Sequence, residues 1–454
     1  MSVTEQQNTT ARQFVQRCIE PDCGAQHDIN AKLYVCSSCG GLLDIEALGS
    51  ADAASTLKDV WKVRRQSLAD EDRSGVWRFR DLLPFADGTT IVSLGEGNTP
   101  LYDAPRAAGY SGLDSLRLKH QGCNPTGSFK DTGMTVAVTQ ALQLGMRVVA
   151  CASTGNTAAS LAAYAARARL ACAIMVPTGQ VSHAKLAQSL DYGAKVLEIE
   201  GNFDTCMATI RELSAESSLY LVNSINPFRI EGQKTVAFEL AEQLNWEVPD
   251  HLVVPGGNLG NSSAFGKGFR ELKAIGLIDR EPHITVVQAA GAAPFARLYQ
   301  ESTHDPAKKL NLVNDEHPHT LASAIKIGAP VSWKKAWRAV SETNGRVLTV
   351  DEQEIADAKA IIGRDGIGCE PASATTVAGI RKLVKEGAIK PHETVVGVLT
   401  GHLLKDTDYV IKYHNQLLQE PEGGAPIAGH YTNQPIRIGG SKDEIAKVIE
   451  SLAG

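Results

Sequence analysis

A lysine stands between a phenylalanine and an aspartate in the stretch "NPTGSFKDTGM", residues 124–134. Ser128 reads as a helix N-cap and Asp131 as the third helical residue, a capping box with Asp in place of Glu. Lys130 then lies in the first helical turn, where the helix dipole disfavours its ammonium form by a few tenths to about 1 kcal/mol. A dry pocket would lower its pKa further. Such an amine is a nucleophile toward aldehydes. On this loop alone, a surface lysine that tolerates a poor position stays open as the alternative.

Four other stretches gather groups that bind anions. "ASTGNTAAS" places Ser153, Thr154, Asn156 and Thr157 with unbonded N–H groups at a helix start, a cradle for a carboxylate. An ordinary cap needs one hydroxyl, and here there are three. "PGGNLGN", Pro255 to Asn261, matches neither the dinucleotide fingerprint nor the P-loop. Its small residues still let N–H groups close around a phosphate. "NSINPFRIEGQKT" offers Asn223, Ser224 and Arg229, a candidate guanidinium fork. Taken alone, Arg229 reads as a surface arginine. "VLTGH" ends a late strand with Thr400, which means little by itself. Together, a phosphate cradle, a carboxylate cradle, an arginine clamp and a poised lysine are accounted for by pyridoxal 5'-phosphate with an amino-acid substrate.

The elements that must position these loops follow a regular pattern from about residue 115. Apolar strands ("RVVACAST", "ACAIMVPT", "KVLEIEG", "LYLVNS", "HLVVPGG", "HITVVQAA", "TVVGVLTG") alternate with helical stretches ("NTAASLAAYAARA", "SHAKLAQSLDYGA", "FDTCMATIRELSAES", "GQKTVAFELAEQL", "NSSAFGKGFRELKAIG"). The pattern predicts an α/β fold of parallel sheets covered by helices. Ligands of such sheets gather where strands end and helices begin. At the far end, "SKDEIAKVIESLAG" predicts a surface helix capped by Ser441 with Glu444 three residues on.

With 454 residues the chain is too long for one core. The expected division is a cysteine module over 1–50, a connector over 51–114, a catalytic domain over 115–420 in two interleaved lobes (the smaller roughly 135–240) and a tail over 421–454. A net charge of -6 and a pI near 6.1 argue against nucleic-acid binding. The most apolar run carries Arg167 and Arg169 and is no membrane span. A cytoplasmic protein is expected, with no nucleic acid and no membrane as partners.

Cys18-x4-Cys23 and Cys36-x2-Cys39, the second followed by Gly40 and Gly41, resemble the two knuckles of a zinc ribbon. Four thiolates suit a structural, tetrahedral Zn2+; a relic module with reduced thiols is the alternative. Cys123, Cys151, Cys172, Cys206 and Cys369 are expected in the core, with Cys123 bordering the lysine loop.

The joint set "NPTGSFKDTGM", "CASTGNTAAS", "NFDTCMATIRELSAE", "NSINPFRIEGQKT", "VPGGNLGN" and "ASAIKIG" resembles the threonine synthases, within the fold type II (tryptophan-synthase-β-like) pyridoxal-phosphate enzymes, and more narrowly their plant-type branch. The resemblance implies a two-lobed lyase, commonly a homodimer, that turns O-phospho-L-homoserine and water into L-threonine and phosphate. It implies Lys130 as the lysine that holds the cofactor and carries protons. Asn156 would contact the pyridine 3-oxygen and Thr400 the pyridine nitrogen. Gly256, Gly257, Asn258, Leu259, Gly260 and Asn261 would hold the cofactor phosphate. Ser153, Thr154 and Thr157 would hold the substrate carboxylate. Asn223, Ser224 and Arg229 would surround the substrate phosphate, with Lys119 adding charge nearby. Thr132, "GCEPASA" and "TGHLLKD" depart from the family pattern. The rival readings are a cysteate synthase using phosphoserine and sulfite, a threonine dehydratase-like lyase, and a non-catalytic metabolite sensor.

Overall fold

The computed structural model describes residues 12–49, 54–179, 183–201, 203–216, 218–305 and 310–452. Residues 1–11, 50–53, 180–182, 202, 217, 306–309, 453 and 454, which the segments above include, lie outside the described residues.

Three sheets organise the chain. The cysteine module is an antiparallel sheet of β1 (Gln13–Cys18), β2 (Gln26–Asp28) and β3 (Leu43–Leu48), in the order β2-β1-β3. The next two strands are β4 (Leu101–Asp103) and β5 (Arg117–His120). A four-stranded sheet follows: β6 (Val148–Ala152), β7 (Ala171–Pro177), β8 (Lys195–Ile199) and β9 (Leu219–Leu221). Its order is β8-β7-β6-β9, parallel throughout. The last sheet joins β4 and β5 to β10 (His251–Pro255), β11 (His283–Ala289), β12 (Val347–Val350) and β13 (Val395–Leu399). Its order is β12-β11-β10-β13-β5-β4, with only the β4–β5 pair antiparallel.

Apolar runs explain the parallel sheets. Every residue of β10 and β13 is buried, as strands covered on both faces must be. The runs predicted as strands are strands, while β4, β5 and β12 are additions. "RLKH" of β5 is too polar to read as buried; its Lys119 is hidden by a distant carboxylate.

Two largely buried helices, Lys130–Gln143 and Pro227–Gln243, pack against each other. They cross so closely that a Cβ on Gly232 would lie 1.8 Å from the Thr132 carbonyl oxygen. Only glycine permits that approach, and the next helix, Gly260–Ala274, packs alongside.

Three local expectations change. The N-cap of the lysine helix is Phe129, with no side-chain cap, so Lys130 is the first helical residue rather than a later one. Asp131 instead reaches back to the Thr126 N–H (2.7 Å) and hydroxyl (2.6 Å). The helix in "NSINPFRIEGQKT" begins at Pro227, capped by Asn226, and thus includes Arg229. Cys123 is exposed rather than core, while Cys151, Cys172, Cys206 and Cys369 are buried. Ser441 caps the Lys442–Leu452 helix as expected, accepting from the Glu444 N–H at 3.3 Å. Among the described residues, no helix is long and apolar enough to cross a membrane.

Candidate active site

Lys130 opens its helix from a turn pinned to the end of β13. The Phe129 N–H donates to the Thr400 carbonyl (2.9 Å), and the His402 N–H donates to the Gly127 carbonyl (2.9 Å). The lysine Nζ lies 4.0 Å from the centre of the Phe129 ring and makes no hydrogen bond among the described residues. Burial first, and then the nearby Arg229 charge, pull the amine down to about 7, with Glu370 opposing. Near neutral pH this amine is therefore neutral about half of the time. The sequence reading named the helix end and a dry pocket; burial is the larger cause here, and the Arg229 charge is the second.

Around it the candidate ring contacts converge on one carboxylate. Asn156, the first residue of the Asn156–Ala168 helix, donates to Glu370 (2.9 Å). Thr400 Oγ1 donates to the other Glu370 oxygen (3.2 Å) and lies 3.0 Å from Ser373 Oγ. Ser373 Oγ also accepts from the Thr400 and Gly401 N–H groups, at 2.8 and 3.1 Å. Burial raises the Glu370 pKa, opposed by Asn156, Thr400, Lys405 and Lys130. Glu370 was missed from the sequence. Its only signal was "GCEPASA", a Glu-Pro at a helix start that reads as an ordinary cap.

The loop after β10 has the form of a phosphate cradle. Gly256 is wedged against β11, where a Cβ would meet Val286 at 2.6 Å. Asn258 is fixed by its carbonyl, which accepts from the Ser332 N–H at 3.2 Å. Leu259 takes a left-handed conformation, φ 64°, unusual for a branched side chain. This aims the start of the Gly260–Ala274 helix, whose first N–H groups have no partner within the helix. Asn261 is buried, and neither its side-chain oxygen nor its nitrogen has a partner. An orphaned amide beside a close-packed glycine at a helix start fits a phosphate ester.

A second anion position surrounds Arg229. Its guanidinium is 2% exposed, donates through Nη1 to the Val222 carbonyl (3.3 Å) and leaves Nε without a partner. Burial pulls it down to about 10, which keeps it cationic at neutral pH. Asn223 clamps the end of β6, holding both the N–H (3.0 Å) and the carbonyl (2.9 Å) of Ala152. That fixes the adjoining Ser153–Thr157 loop, where Ser153 Oγ accepts from the Gly155 N–H at 3.3 Å. Ser153, Thr154, Thr157 and Ser224 are half-exposed. Lys119 is not brought to this position. Its Nζ is fully buried, paired with Glu239, and donates to the Thr99 carbonyl (2.7 Å) and to Gln243 (2.8 Å).

In the N-terminal module, one sulfur each from Cys18, Cys23, Cys36 and Cys39 all lie within 4.8 Å of one another. The Cys18–Cys39 and Cys23–Cys36 separations are 3.4 and 3.8 Å. Tetrahedral Zn2+ with bonds of about 2.3 Å needs sulfurs about 3.8 Å apart, so the donor set fits. The Ser38 and Gly41 N–H groups each face a sulfur at 3.4 Å. Against burial, His27 and the knuckle N–H groups bring the Cys36 thiol down to about 5, while burial pushes the Cys18 thiol up to about 12.

A family model described as "Pyridoxal-phosphate dependent enzyme" matches residues 92–401. The threonine synthase of Methanocaldococcus jannaschii is 46% identical over 400 residues, 88% of this chain and 95% of that protein. That of Methanosarcina acetivorans is 47% identical over 396 residues, 87% and 93% of the two chains. Among solved structures, the processed form of threonine deaminase isoform 2 from Solanum lycopersicum superposes with a TM-score of 0.58 at 19% identity. That match covers 80% of this chain and 94% of the other, a likeness of fold.

Proposed function

The chain belongs to the pyridoxal-phosphate dependent enzymes and, within them, to the threonine synthases; on that premise we propose that its cleft converts O-phospho-L-homoserine and water to L-threonine and phosphate. The observation that carries the assignment of roles is the pairing of an unbonded lysine amine with a buried, partly unpartnered guanidinium. Such groups are costly without a ligand.

The cofactor, when bound, supplies an aldehyde and a ring that takes up negative charge from the substrate Cα. The residues around it have distinct tasks. Gly256, Gly257, Asn258, Leu259, Gly260 and Asn261 hold the cofactor phosphate. Asn156 and Thr400 orient the ring, and Glu370 fixes both of them through its two oxygens. Lys130 Nζ, buried and without a hydrogen bond among the described residues, would accept the Cα proton and return it to a neighbouring carbon. Ser153, Thr154 and Thr157 hold the substrate carboxylate. Arg229, with Asn223 and Ser224, holds the substrate phosphate and stabilises its charge as it departs.

The four cysteines hold structural Zn2+ in a zinc-ribbon-like module. The free state of all nine cysteines suits a reducing, cytoplasmic setting. The domain boundaries read from the sequence pattern are proposed with this reading, as are the plant-type branch and a homodimer, which the resemblance implies.

Turnover decides the matter. Purified enzyme with pyridoxal phosphate releases phosphate and forms threonine from O-phospho-L-homoserine. Faster release from phosphoserine with sulfite would make it a cysteate synthase instead.

A further inference from the structure

The cysteine module touches the enzyme at two places that lie behind the two anion positions. Tyr34, two residues before Cys36, accepts through its hydroxyl from the Leu221 N–H (2.8 Å) and from Ser214 Oγ (3.0 Å). Its ring tilts against Tyr220, centroids 5.8 Å apart. Strand β9 is the edge of its sheet, so the Leu221 N–H that points away from β6 needs an acceptor from outside. The Leu221 carbonyl is held in turn by the Asn226 amide at 2.8 Å. The next residue, Val222, accepts from Arg229, and Asn223 after it clamps Ala152. One short segment thus links the Tyr34 hydroxyl to the guanidinium and to the Ser153–Thr157 loop.

On the other face, Asp44 lies 3.7 Å from Lys267 and 3.5 Å from Lys335. Lys335 also donates to the Leu43 carbonyl (2.6 Å), and Lys334 pairs with Glu20 (2.6 Å). Lys267 belongs to the helix whose first turn is the phosphate loop. The module is therefore fastened to the strand end that leads into Asn223 and Ser224, whose Val222 carbonyl accepts from Arg229, and to the helix that starts at Gly260.

We propose that Tyr34 is a positioning residue for the substrate-phosphate position, acting through the Leu221 peptide and Arg229, and that the module sets the separation of the two anion positions. The proposal rests on the reading of Arg229, Asn223 and Ser224 given above. A tyrosine needed for packing alone would serve equally as phenylalanine; what requires the oxygen is the edge N–H of Leu221. Misplacement of a binding group by up to about 1 Å, even through a mutation far from the reacting atoms, can cost up to about a hundredfold.

The test is steady-state kinetics of the zinc- and cofactor-loaded Tyr34→Phe enzyme, with inorganic phosphate as product inhibitor. The expected result is about a tenfold rise in KM for O-phospho-L-homoserine and an equal weakening of phosphate inhibition. Because Arg229 also stabilises the departing charge, kcat falls, but by less than KM rises, while cofactor absorbance and zinc content do not change. Ser214→Ala, which removes the other partner of the hydroxyl but leaves the Leu221 bond, keeps KM within about twofold. Unchanged KM and phosphate inhibition in Tyr34→Phe overturn the proposal. So does an equal effect of Ser214→Ala, a parallel loss of kcat and cofactor, or failure of Tyr34→Phe to fold, since the hydroxyl would then serve the fold alone. Arg229→Lys separates the two readings. If it leaves phosphate inhibition unchanged, the role of Arg229 fails; if it weakens inhibition while Tyr34→Phe does not, only the present inference fails.

Discussion

Arg229 and Glu231 are two residues apart on one helix, and Asn261 and Lys267 share the next, yet their surroundings are opposite. At the cleft end, Arg229 Nε, both polar atoms of Asn261 and the Lys130 amine have no hydrogen-bond partner among the described residues. Less than two turns further along, buried charges are paired. Lys234 lies 2.6 Å from Glu231 and 2.8 Å from Glu271. Lys267 lies 3.2 Å from Glu231 and 3.1 Å from Glu271, and reaches Asp44 of the module. Burial alone would lower the Lys267 pKa, but Asp44, Glu231 and Glu271 hold it above its usual value. On these helices the ion-paired charges hold the fold, whereas Lys130, Arg229 and Asn261, which have no ion pair among the described residues, are the groups left for a ligand. Burial is similar in both places, so it is the partners that separate structure from function.

Substitutions at the two ends should therefore fail in different ways. The largest effect is expected for Lys130→Ala: turnover falls by about four orders of magnitude or more and the protein-linked cofactor absorbance disappears. Because the amine has no bonds to lose, the melting temperature of the cofactor-free protein stays within about 2 °C by calorimetry. A large drop would erase the contrast between the two regions. Lys267→Met is the converse. It leaves buried carboxylates without their cation and costs about 3–5 kcal/mol of stability in denaturant titration.

Arg229→Lys keeps the charge and loses the planar fork. A fall in kcat/KM of about a hundredfold or more is expected, with melting little changed. An intact kcat/KM would place Arg229 with the structural charges. The smallest effect concerns pH. Cofactor capture by the cofactor-free protein needs the neutral amine, so its rate rises as pH passes upward through about 7 and then levels, followed by absorbance. Glu370 holds the Lys130 pKa up, so Glu370→Gln moves that midpoint to lower pH. A midpoint near the ordinary lysine value would mean the cleft is wet.

The loops that bear the chemistry could be read because each is a run of a few residues with its own local logic. Glycines and hydroxyls at a strand-to-helix junction expose N–H groups whatever lies elsewhere. The strands could be read because parallel sheets need continuous apolar runs. The same reasoning went astray at Cys123, expected in the core although it lies in the mostly polar stretch "KHQGCNPTG", and exposed in the fold. It also went astray at the lysine helix, where Asp131 bonds backward to Thr126 rather than closing a capping box.

Lys130, the glycine loop and the four-cysteine spacing were thus written in order along the chain. Which polar groups are satisfied was not. Asn156 meets Glu370 across 214 residues, and Lys119 is neutralised by Glu239 across 120. Such partners depend on which strands lie side by side, and strand order is a product of global packing rather than of any window of residues. The difference between a lysine that binds a ligand and one that binds a carboxylate of its own chain therefore emerges only when the sheets assemble.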